Sequence, residues 1–131
     1  MMTMRITVIP SVTLILVVSF AYPAIAQDKK KPEVTMKAEV IDTKCYISGS
    51  MGDASGEEHK ECAILCARAG VPLGLLEEKT KSVYFVARMK GMAGANDMLL
   101  PFVGTTVLVT GRVTEKGGAK LFLLDTIEKA R

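Results

Sequence analysis

The chain has 131 residues, 49% hydrophobic and only 5% aromatic, with 17 basic and 14 acidic side chains for a net charge of +3. That length suits one domain with a modest core and not two. The charge is too balanced for a dedicated nucleic-acid binder, and the aromatics are too few for stacking on bases.

The N-terminus reads as an export signal. Arg5 is the only charge in the first 26 residues, residues 12–21 (VTLILVVSFA) are apolar, and Ala24, Ile25 and Ala26 form an A-x-A exit. These features predict a secretory signal peptide over residues 1–26, cleaved after Ala26. The apolar run falls short of the roughly 20 residues of a spanning helix, so a periplasmic or secreted protein without a membrane anchor is expected. Residues 27–33, with Lys29, Lys30 and Lys31, read as a flexible polar leader.

From Val34 the apolar residues alternate: Val34, Met36, Ala38 and Val40 share one side, and Thr35, Lys37, Glu39 and Ile41 the other. Period two predicts a half-buried strand to about residue 44. Gly49, Gly52, Asp53 and Gly56 then predict a loop. Ser55 and Glu58 fit a capping box, Arg68 suits a helix C-terminus, and Gly70 with Pro72 a stop. A helix is therefore expected over residues 56–69. Residues 73–77 and 82–88 read as paired strands, and residues 96–102 as one or two helical turns. Residues 105–114 and 119–128 read as a final hairpin across Glu115, Lys116, Gly117 and Gly118.

Five short strands in about a hundred residues cannot bury an open sheet on both faces, so closure into a small barrel is expected. The fold class is mainly β with one or two helices. The order resembles the OB-fold, a five-stranded Greek-key barrel, here spanning residues 34–131 with a helical insertion between strands 1 and 2.

That insertion holds Cys45, Cys62 and Cys66, all the cysteines of the chain, and His59, its only histidine. On a continuous helix at 100° per residue with His59 at 0°, Cys62 falls at about 300° and Cys66 at about 340°. The three then share one face, and the loop is long enough to bring Cys45 to them. Three cysteines and one histidine match the donors of tetrahedral zinc or a thiophilic copper(I) site. Two other readings stay open. In an exported protein Cys45 can form a disulfide with Cys62 or Cys66, closing about 17 to 21 residues, contributing roughly 3 kcal/mol and leaving one thiol odd. Alternatively, the cysteines are small core residues on the face that packs against the barrel.

The stretch also resembles small exported bacterial proteins with the pattern C…H-x-x-C-A-x-x-C…G-x-P-x-G-L-L, here Cys45, His59, Cys62, Ala63, Cys66, Gly70, Pro72, Gly74, Leu75 and Leu76. The resemblance implies export and a common fold, and no activity.

Other chemistry is less legible. There is no C-x-x-C-H, C-x-x-C, HExxH or phosphate-cradling glycine loop. Asp42, Asp53, Glu57 and Glu58 read as loop solvation and helix capping, and Met89, Met92 and Met98 as filling for the barrel end. The expectation is a non-enzymatic exported binding module with a metal ion, zinc or copper(I), as its partner, held by Cys45, His59, Cys62 and Cys66. The alternatives are a thiol-redox protein and an OB-type ligand binder using Tyr84 and Phe85.

Overall fold

A computed structural model describes residues 31–131; the expected signal segment and residues 27–30 of the leader lie outside the described residues. The five strands are β1 (Val34–Asp42), β2 (Leu73–Glu77), β3 (Val83–Arg88), β4 (Thr106–Lys116) and β5 (Ala119–Lys129). They close into a barrel in the order β1-β2-β3-β5-β4, with β4 returning to β1. All pairings are antiparallel except β3 with β5, which runs parallel. This is the OB-like barrel expected from the order of elements.

Period-two patterning builds the interior. Ala38 and Val40 of β1 point inward with Leu75, Tyr84, Val107, Val109, Phe122 and Leu124. In the register Ala38 faces Val107 across one seam and Val40 faces Leu75 across the other, so the small and branched side chains meet in layers. Phe122 is fully buried and meets Tyr84 edge-to-face at 6.4 Å, an arrangement that contributes about 0.5–1.5 kcal/mol beyond area burial. Phe85, next to Tyr84, points outward. One barrel end is closed by Ala95, Leu99 and Val103 around α3 (Asn96–Leu99) and the 3-10 turn Leu100–Phe102.

The strand limits move by at most two residues from expectation, and β2 has the expected limits. The β4–β5 hairpin keeps pairing to Lys116 and Ala119, so only Gly117 and Gly118 form the turn. Between β1 and β2 the differences are larger. β1 ends at Asp42, and Thr43–Ser48 is a short helix, α1, where a strand end and loop were expected. Asp42 causes this: its carboxylate caps α1, accepting the Cys45 N–H at 3.0 Å, which satisfies a donor that an extended chain would present to a neighbouring strand. The helix expected over 56–69 divides into a 3-10 turn, Glu57–His59, and α2, Lys60–Arg68. The capping box is not formed. Ser55 Oγ instead donates to the Asp53 carboxylate at 3.3 Å, and Gly56 begins the turn without a side-chain cap.

Two close approaches seat the insertion on the barrel. Thr43 lies directly over Gly74 of β2, where a Cβ would overlap the threonine methyl and stand 2.8 Å from the Tyr84 carbonyl oxygen. Thr43 Oγ1 donates to the Pro72 carbonyl at 2.7 Å, tying α1 to the entry of β2. At the other end, Gly104 has φ +71° and presses on the Gly56 backbone, with space for no side chain. The Gly56 N–H donates to the Glu39 carboxylate. Both ends of the segment from Thr43 to Gly56, which carries Cys45 and leads into the turn of His59, are thus fixed to the barrel.

Candidate metal centre

Each donor has its own positioning device. Cys45 sits in the first turn of α1, buried, with its N–H on Asp42. α1 ends at Gly49, whose N–H returns to the Cys45 carbonyl at 3.1 Å. Cys62 and Cys66 lie one helical turn apart on α2. That helix packs on the barrel through buried Ala63 and the partly buried Ile64 and Ala67. The two cysteines flank this face and are half-buried, while Leu65 between them is 66% exposed. Cys62 and Cys66 are therefore not plain core residues; they turn toward α1.

The sulfurs of Cys45, Cys62 and Cys66 lie within 4.8 Å of one another, and all three are free thiols. Zinc–sulfur bonds of 2.3 Å in a tetrahedron place sulfurs about 3.8 Å apart, so small side-chain adjustments suffice to close them on an ion. A second group shares Cys45: its sulfur, a carboxylate oxygen of Asp42 and a ring nitrogen of His59 also lie within 4.8 Å of one another. The four residues singled out in the sequence thus form two overlapping groups, with His59 joined to Cys45 rather than to the three-sulfur set. The reason is local. His59 ends a 3-10 turn, which advances about 120° per residue, so the single-face construction for His59, Cys62 and Cys66 does not apply to it.

Asp42 is the donor that sequence reasoning missed. It was read with Asp53, Glu57 and Glu58 as loop solvation or capping of the later helix; instead it caps α1 and is 0% exposed, beneath the insertion. One oxygen accepts from Cys45 N–H, while Oδ2 is buried without a hydrogen-bond partner of normal geometry, as is His59 Nε2. These are the two such side-chain atoms among the described residues. An unsatisfied buried polar atom costs about 1–3 kcal/mol, and here both belong to the same group of donors.

The electrostatics centre on Asp42. Burial is the largest single influence on its carboxyl and pushes its pKa up; donation from Cys45 N–H, the Cys66 and Cys45 thiols and Lys44 N–H together outweighs it and leaves the pKa below the usual value. The thiols respond in the opposite sense. Hydrogen bonding to Asp42, then burial, pushes Cys66 up to about 12. Burial, then Asp42, raises Cys45. Without an ion, the site therefore stores protons on sulfur beside a charged carboxylate.

Elsewhere, the methionines do not assemble: Met98 packs on the core, whereas Met92 is fully exposed and does not fill the barrel end. Tyr84 is interior, which leaves Phe85 as the outward aromatic of that pair. Comparison with protein families, characterised proteins and solved structures finds no match for this chain.

Proposed function

We propose that this is an exported, non-enzymatic binding module whose inserted helices hold one zinc or copper(I) ion. Cys45, Cys62 and Cys66 are the core donors, and His59 reaches the ion from the Cys45 side. The supporting observation is the convergence of three thiols from two separate helices within 4.8 Å, beside two buried polar atoms that have no partner. Three soft sulfurs suit thiophilic ions, and binding would release the thiol protons, coupling the ion to the docking of α1 and α2 on the barrel.

The same sulfur spacing supports a second reading, a thiol-redox protein with Cys45 paired to Cys62 or Cys66. Metal per chain and free thiols, measured together on protein purified from an oxidising compartment, separate the two. About one ion per chain, with thiols that react only after chelation, is the expected result. No metal and a single free thiol would replace the metal site with the disulfide.

A further inference from the structure

We infer that the Asp42 carboxylate is itself a donor to the ion, and that it makes the site select a divalent ion of the zinc class over copper(I). This rests on the metal-site reading above and narrows it to one class of ion.

The orientation of Asp42 is fixed before any ion arrives. Its cap on α1 commits one oxygen to the Cys45 N–H at 3.0 Å, which leaves Oδ2 buried and without a hydrogen-bond partner. A carboxylate oxygen already lies within 4.8 Å of the Cys45 sulfur and of a His59 ring nitrogen. Asp42 thus belongs to one group of donors and meets the three-sulfur group through Cys45, which both share.

Charge and donor chemistry then distinguish the ions. Three thiolates alone are a satisfactory set for copper(I), which prefers sulfur and gains little from a carboxylate. Zinc is borderline-soft and accepts sulfur, nitrogen and carboxylate oxygen in one shell. Three thiolates and one carboxylate carry a formal charge of −4 (−3 and −1), which a monovalent ion reduces to −3 and a divalent ion to −2. Asp42 is fully buried, and uncompensated charge is costly away from water. The divalent ion leaves less of it. Asp42 is thus the one donor that separates the two ions.

The test uses the purified reduced chain, stripped of metal, with zinc and copper(I) affinities measured separately by competition against chromophoric chelators. Asp42→Asn removes the charge while retaining a good cap, since Asn and Asp serve equally at that position; Asp42→Ser provides a second, shorter neutral cap. The expected result is tight zinc binding by the unmodified chain, at least about a tenfold loss in both variants, and a copper(I) affinity that is unchanged or higher. Equal losses for both ions, or no loss of zinc affinity, would overturn the inference. Binding of copper(I) without zinc would overturn it while leaving the metal site standing. Binding of neither ion would remove both.

Discussion

Asp42 caps the helix that carries Cys45: its fully buried carboxylate accepts the Cys45 N–H at 3.0 Å. The residue that begins the insertion thus also sets the position of its first thiol. Asp42→Ala removes the acceptor and strands a buried N–H. A lost cap costs about 1–2 kcal/mol, and in a domain of this size 1 kcal/mol shifts Tm by about 4–8 °C. Thermal unfolding of the reduced, metal-stripped protein is expected to show a fall of that order for Asp42→Ala and a smaller one for Asp42→Asn. Equal Tm values for the unmodified chain and Asp42→Ala would remove the cap from the explanation.

The same carboxylate governs the reactivity of Cys66. A thiol pushed up to about 12 is almost wholly protonated at pH 8, with a thiolate fraction of about one in ten thousand, and only the thiolate attacks an alkylating agent. Alkylation at Cys66 in the metal-stripped chain, mapped by mass spectrometry, is expected to be slow at pH 8 and still accelerating at pH 10. Because the interaction with Asp42 leads the causes of the shift, Asp42→Asn lowers the thiol pKa and raises the rate at pH 8. An unchanged rate in that variant would contradict this account.

Gly74 is where α1 meets the barrel. A Cβ there overlaps the Thr43 methyl and lies 2.8 Å from the Tyr84 carbonyl oxygen. Gly74→Ala is expected to destabilise the fold by about 1–3 kcal/mol, the usual cost of overpacking, and to weaken metal binding by displacing the helix that carries Cys45. Thr43→Ser removes the methyl, so the double variant should recover part of the stability; the rest stays lost because the Tyr84 oxygen is backbone. Chemical denaturation of the single and double variants measures both effects. Full stability in Gly74→Ala would show that the contact is not tight.

The barrel was legible from the sequence because its cause is repeated: period-two alternation in β1 and β4 places Ala38, Val40, Val107 and Val109 inward, and the turn before β5 marks the last strand, which adds Phe122 and Leu124. The insertion was legible in composition and less so in geometry. Its short segments are governed by single contacts between residues far apart in sequence. Glu39 holding the Gly56 N–H, Gly104 pressing on Gly56 and Thr43 covering Gly74 leave no periodic trace. Asp42 shows the limit most clearly. An acidic residue at a helix start is solvated on most surfaces, and only the insertion folding over it makes it a buried donor.

Tyr84 offers a pH test of the barrel that does not involve the thiols. Its side chain is buried, and its hydroxyl donates to the Glu77 carboxylate at 3.2 Å. Burial first, and then the Glu77 charge, raise its pKa above the ordinary tyrosine value. The neutral phenol is the form the fold favours, so its contribution is fully present below the unfolded pKa of about 10 and is lost as pH rises toward and through the folded value. Tyr84→Phe forfeits the hydrogen bond, about 1 kcal/mol at neutral pH, and cannot ionise. The Tm of the unmodified chain should therefore exceed that of Tyr84→Phe at pH 7, and the gap should close or reverse by about pH 11. Melting curves of both proteins across that range provide the measurement. A gap that stays constant would mean that Tyr84 keeps its ordinary pKa in the fold.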